Sequence, residues 1–267
     1  MLHEWFYYLG TKVASPGARK LGYAKETAAL EVRHHRCREA WKNHVQSTNA
    51  ALLAAAQTAH RPGGTALIVG GGVARDLPME ELLTQFERIV LLDIAFSLPT
   101  RYLAISSRGR VLCCYWDVTG VVDWLAHERH LPPGPVFTRP ILPELNPNPC
   151  WVASVNCLTQ LPLLPLDWLL PHGIDEFQLE AFGRNLIHAH LDWLSMWQVP
   201  HCLITEISDY RYDANGIMTD TTDYQPIIGH YLKKGRLLAR WSWCVHPAGE
   251  IPTGAHEIRM IEAWVQN

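Results

Sequence analysis

The segment Leu67-Ile68-Val69-Gly70-Gly71-Gly72-Val73-Ala74-Arg75-Asp76 decides the reading of this chain. Thr65–Val69 is a short apolar run bounded by Gly63 and Gly64 on one side and by three glycines on the other, which reads as a buried strand. Gly70 and Gly72 let the backbone turn tightly and approach a ligand that any Cβ would hold away. Glu80–Phe86 then reads as a helix, with Asp76 and Pro78 as start signals. Ligand contact at a strand-to-helix turn of this kind is the rule in open α/β sheets, and a plain turn is the alternative.

Outward from this loop, apolar runs alternate with helical stretches. Arg88–Ile94, Arg110–Trp116, Trp151–Cys157 and His201–Ile207 read as strands, and Leu98–Ser106, Val121–His130 and Asp175–Trp197 as helices. Alternation of this kind implies parallel pairing through crossovers. A proline-rich connection covers Leu131–Pro149, and Asp209–Gln225 reads as a polar irregular segment. Arg236–Val245 and Glu257–Val265 read as two strands closing an antiparallel hairpin. The expected fold class is α/β: a Rossmann-like, mostly parallel seven-stranded sheet with a C-terminal antiparallel hairpin and an N-terminal helical cap. The division falls near Pro62, giving a cap over residues 1–62 and a sheet domain over 63–267. Lys25–His60, almost free of Pro and Gly, predicts one long helix or two in tandem.

The dinucleotide fingerprint wants a small residue three positions after Gly72, where Arg75 stands and would crowd a pyrophosphate. The small residue is Ala74, giving G-x-G-x-A, which resembles motif I of class I S-adenosylmethionine-dependent methyltransferases. The acid that often precedes that motif on the strand is replaced by Ile68. The resemblance spans about Gly63 to the C-terminus in element order and reaches no particular subfamily. It implies S-adenosylmethionine as cofactor, with Gly70, Gly71, Gly72 and Asp76 around it. Asp93, at the tip of the second strand, is placed to accept both ribose hydroxyls. Asp117 and Val118, after the third strand, fall beside the adenine by the same resemblance; Asp117 could equally cap the next helix.

The N/D-P-P-Y motif of adenine and planar-amide methylation is missing after the fourth strand. Asn156 stands there instead, able to donate and accept hydrogen bonds, as a cofactor or catalytic contact or as a turn cap. A base is needed if the acceptor is an amine or hydroxyl. His188 and His190 on the long helix are candidates, although a helical histidine is more often packed or solvated. Glu206 and Asp209, after the fifth strand, are candidates for binding a substrate amine.

Arg33-His34-His35-Arg36-Cys37-Arg38, with Trp41 and His44, is the densest basic–aromatic cluster. It reads as a solvated helix face, or as a lid over the cofactor site in which Arg36 or Arg33 grips an anionic acceptor, with Trp41 beside them. His34, His35 and Cys37 fan apart on a helix, so no metal site is expected. A net charge of −3 supplies no track for nucleic acid. The seven cysteines form no CxxC pair, and no stretch approaches the ~20 apolar residues of a membrane span. Cys113, Cys114, Cys157 and Cys202 lie in apolar runs, so a reducing, cytoplasmic setting is expected; Met1–Leu9 has neither a basic n-region nor a cleavage site, so no signal peptide is expected. The expected activity is methyl transfer to a small-molecule or peptide acceptor. The rivals are a non-catalytic binding protein on the same fold and a nicotinamide oxidoreductase. The Tyr-x-x-x-Lys pair of short-chain dehydrogenases occurs only at Tyr8–Lys12, before the glycine loop.

Overall fold

Every residue of the strand Thr65–Val69 is buried, as a strand covered on both faces must be. The structure, a computed structural model, describes residues 2–59, 63–134 and 148–266. In chain order it begins with α1 (Leu2–Gly10), β1 (Lys12–Val13), α2 (Pro16–Lys20), α3 (Tyr23–Arg36) and α4 (Arg38–Ala56). There follow β2 (Thr65–Val69), α5 (Met79–Gln85), β3 (Arg88–Asp93), β4 (Ala95–Phe96), α6 (Leu98–Ser106), β5 (Val111–Tyr115) and α7 (Val122–Glu128). Beyond the proline-rich connection, of which residues 135–147 lie outside the described ones, come β6 (Trp151–Val155), α8 (Leu163–Leu169), α9 (Glu176–Ser195) and β7 (His201–Tyr212). The chain ends with β8 (Met218–Asp223), α10 (Gln225–Leu232), β9 (Arg236–His246) and β10 (His256–Gln266).

The main sheet runs β5-β3-β2-β6-β7-β10-β9. The pairs from β5 to β7 are parallel. β10 is antiparallel to both β7 and β9, so the closing hairpin inserts its second strand beside β7. This is the mostly parallel, Rossmann-like sheet with a reversed hairpin that the sequence predicts. Strand order reverses between β2 and β6, whose neighbours lead to opposite edges. The loops leaving their C-terminal ends therefore diverge and open a crevice.

Side chains alternate across β2. Ala66 and Ile68 pack with Leu52 of α4, Leu82 of α5 and Trp241 of β9. Leu67 and Val69 pack on the other face with Ile187 and Leu191 of α9. Leu52 is fully buried in that first cluster, so α4 shares its core with the sheet.

The N-terminal helical stretch is broken at Cys37 into α3 and α4. The segment expected to be irregular contains instead an eighth strand: β7 runs on to Tyr212, and β8 returns along it from Ser208↔Asp223 to Tyr212↔Met218. Asp213 makes the turn, its Oδ1 accepting from the backbone N–H groups of Asn215 and Ile217. Gly216 supplies the left-handed residue with φ of 79°. β8 is almost wholly exposed, so it carries no apolar period to read.

Candidate functional site

β2 and β3 deliver the glycine loop and Asp93 to one place. Gly70 has φ of 88°, and a Cβ there would lie 2.3 Å from the Val155 carbonyl of β6. At Gly72 a Cβ would meet the Ala95 carbonyl at 2.4 Å and Asp93 Oδ2 at 2.8 Å. Because nothing fills that space, the Gly72 N–H donates to Asp93 Oδ2 at 2.8 Å, while the Ala95 N–H donates to Oδ1 at 3.2 Å. Burial pushes the Asp93 carboxyl up to about 6 against the lowering pull of these backbone donors. Ile68, where the resemblance wants an acid, is fully buried in the core.

Arg75 turns away from the loop. Its guanidinium pairs at 3.1 Å with Glu31 of α3, whose carboxylate is fully buried, and so ties cap to loop. Asp76 does not cap α5, which follows Pro78. Its Oδ2 accepts instead from Asn156 Nδ2 at 2.7 Å. Asn156 sits at φ of 50°, a conformation that asparagine adopts more readily than most residues. Asp117 caps α7: Oδ1 accepts from the N–H and hydroxyl of Thr119, Oδ2 from the Val122 N–H. Burial raises both Asp76 and Asp117 above the usual carboxylate range.

These groups line one cavity of about 450 Å³, whose walls include Gly70, Gly72, Asp76, Asp93, Asp117, Val118 and Asn156. That volume falls in the range of small-ligand sites. Its second end lies under α3 and α4, where Arg33, His34, Trp41 and His44 face Trp243 and Val245 of β9 and Arg259 of β10. Gly71 is not among the lining residues; a Cβ there would press on Leu91 at 3.0 Å. Arg36, expected at the acceptor, is not among the lining residues; it forms an ion pair with Glu250 in the hairpin loop.

The remaining candidates lie outside the lining. His190 is fully buried, 2.8 Å from Ser154 Oγ and stacked on Trp193, and burial drives it down to about 3. His188 Nε2 lies 3.1 Å from the Ile227 carbonyl. Glu206 is fully buried and accepts from Thr159, Gln160 and, at 2.9 Å, Arg259. Asp209, pushed up to about 6 chiefly by burial, accepts from the Tyr224 hydroxyl at 3.2 Å. Both acids thus pair with Arg259, which itself lines the cavity.

Sequence reasoning passed over His44, Trp243 and Arg259 as site residues. His44 was visible only as part of the basic–aromatic cluster. Nothing local marks Trp243 or Arg259, whose role comes from the hairpin crossing under the cap. Among the described residues no group of three or more His, Cys, Asp or Glu side chains is arranged to hold a metal ion. No helix among them is long and apolar enough to cross a membrane.

No protein-family model matches this chain, and no curated protein matches it. Among solved structures it is similar to 1,6-didemethyltoxoflavin-N1-methyltransferase of Burkholderia thailandensis, crystallised with 1,6-didemethyltoxoflavin and S-adenosylhomocysteine. The identity is 13%, the TM-score 0.39, and the match covers 90% of this chain and 87% of that one. It is also similar to the glycopeptide N-methyltransferase MtfA complexed with sinefungin, at 10% identity and TM-score 0.38, over 80% of this chain and 93% of that one. A third is the 23S rRNA methyltransferase ErmE, at 12% identity and TM-score 0.33, over 79% and 66%. At this distance the likenesses carry no argument about the site, and the fold rests on the strand order given above.

Proposed function

We propose that the chain binds S-adenosylmethionine at the glycine loop and transfers its methyl group to a small or medium-sized acceptor held under the cap. The observation that carries this reading is the space left by the missing Cβ of Gly72, which brings a backbone N–H onto the Asp93 carboxylate inside the cavity. The residues present fit an adenosyl ligand. Asp93 keeps acceptor capacity for a ribose hydroxyl, since its two oxygens offer about four lone-pair sites and meet the backbone N–H groups of Gly72, Ala95 and Ile94. Val118 and Asp117 border the place for the adenine, and Gly70, Asp76 and Asn156 the opposite end. A pyrophosphate fits poorly: Arg75, the one cation of the loop, is already engaged by Glu31, and Asp76 and Asp93 face the same space.

When bound, S-adenosylmethionine supplies an electrophilic methyl carbon on a sulfonium. The contribution of the chain is to hold the acceptor in line with it and to exclude water, effects that account for much of the catalysis of such a displacement. The Arg75–Glu31 and Arg36–Glu250 pairs fasten α3 over the crevice for that purpose. Asp76, buried and raised, stands in the cavity where it can take a proton from an acceptor N–H or O–H.

Calorimetric titration with S-adenosylhomocysteine, S-adenosylmethionine and NADP tests the reading. Binding of the two adenosyl ligands and not of NADP is the expected result. Binding of NADP alone would overturn the cofactor assignment, and binding of none would leave a non-catalytic protein on this fold.

A further inference from the structure

His44 is 3% exposed and belongs to the cavity wall at its second end. Its ring is held in two ways. It stacks on Trp243 with centroids 4.0 Å apart and planes 9° apart, and its Nδ1 accepts from Trp241 Nε1 at 3.0 Å. An indole nitrogen only donates, so Nδ1 carries no proton. Burial keeps the imidazole neutral, driving it down to about 3, and the single proton therefore resides on Nε2.

That Nε2–H lies 3.3 Å from Asn156 Nδ2, which itself donates to Asp76. With the proton on Nε2, the Asn156 amide nitrogen cannot accept it, and Asn156 Oδ1 beside it is buried without a partner. A buried donor left without an acceptor is costly. The two N–H groups thus mark a spot in the wall suited to a lone pair. The surrounding end is aromatic: Trp41 meets Trp243 edge to face at 5.2 Å, and His34 meets Trp41 at 5.9 Å. The two guanidinium groups at that end are already paired with carboxylates: Arg33 with Glu250 at 4.0 Å, and Arg259 with Glu206 at 2.9 Å and Glu257 at 2.8 Å.

We propose that His44 is the positioning residue of the acceptor end, donating from Nε2 to a lone pair on an uncharged, planar heteroaromatic acceptor seated against Trp41 and Trp243. This deepens the methyl-transfer reading and rests on it for the word acceptor, but the seat itself can be tested separately. Isoquinoline, naphthalene and isoquinoline-3-carboxylate have the same ring frame and differ in ring nitrogen and charge. Each is titrated by ligand-observed NMR at pH 7.5, with and without saturating S-adenosylhomocysteine, against wild type, His44→Phe and His44→Gln.

Isoquinoline is expected to bind about tenfold more tightly than naphthalene, the worth of one well-made hydrogen bond, with the carboxylate weakest. His44→Phe keeps a flat ring on Trp243 and should bring the two neutral probes together while leaving naphthalene unchanged. His44→Gln, which can place an N–H near the same point, should restore most of the preference. Equal binding of the neutral probes by wild type, an unchanged ratio in His44→Phe, tightest binding of the carboxylate, or no binding up to millimolar concentration would each overturn the proposal. If His44→Phe fails to fold, the ranking in wild type and His44→Gln decides. The expected ranking without any affinity for S-adenosylhomocysteine would sink the cofactor reading and keep the seat; affinity for S-adenosylhomocysteine with no ranking would do the reverse.

Discussion

Replacing Gly72 by Ala adds one methyl group at the point where the loop meets the tip of β3. The backbone of Gly72 lies in the ordinary region, so the whole cost comes from space. The added carbon would stand 2.4 Å from the Ala95 carbonyl and 2.8 Å from Asp93 Oδ2, and ordinary contact begins near 3.4 Å. Either the loop or the β3–β4 corner must therefore move by up to 1.0 Å. A movement of that size breaks the Gly72 N–H to Asp93 bond and the 3.0 Å bond from Ser97 N–H to the Gly72 carbonyl. The first has a charged partner and contributes about 1.5–3 kcal/mol, the second about 1 kcal/mol. A loss of about 2–4 kcal/mol follows, or roughly 5–15 °C in Tm for a chain of this size. Affinity for S-adenosylhomocysteine should fall at least tenfold, because the displaced carboxylate is the group that would hold its ribose. Thermal unfolding and calorimetry read the two effects, with Gly134→Ala as control, since a Cβ there meets nothing within 4 Å. A Gly72→Ala protein with the Tm of the control and unchanged affinity would refute the reasoning.

Two further outcomes follow from buried carboxylates. Asp93, raised to about 6, prefers its protonated form more in the folded than in the unfolded chain, so its ionisation costs stability as pH rises from about 4 through about 6. Wild type should therefore gain on Asp93→Asn as pH falls through that window, by no more than ~1.4 kcal/mol per pH unit, and the difference should be flat above pH 7; urea unfolding at pH 4–8 checks it, and a difference that grows with rising pH contradicts it. Arg75→Ala leaves the Glu31 carboxylate buried without its guanidinium and should cost about 2–3 kcal/mol, below the full value for a buried pair because Arg75 is one-third exposed. Arg75→Met combined with Glu31→Leu should recover most of that loss, and a double-mutant cycle in urea showing independent effects would remove the pair from the account.

The sequence by itself determined the sheet. β2, β3, β5 and β6 are apolar runs of five or six residues set between turn signals, and the burial of β2 and β6 on both faces leaves that pattern no other use. The glycine loop was legible because a residue without Cβ at a strand end signals close approach. Asp93 was legible because its distance from the loop is one βαβ unit. The helix α6, Leu98–Ser106, was legible over its whole length, and in the structure Ser97 caps its N-terminus by accepting from the Thr100 N–H. β8 and α10 were not, because one is exposed on both faces and the other is a short helix whose apolar side is defined by α9 and β7.

Tertiary structure alone decided the second end of the cavity. His44 meets Trp241 and Trp243 across about 200 residues of chain, and Arg259 reaches the crevice only because β10 inserts between β7 and β9. Periodicity and spacing report the local partners of a residue. Which histidine is emptied of its second proton by an indole, and which is packed against a serine, depends on strand order, and no window of sequence contains that.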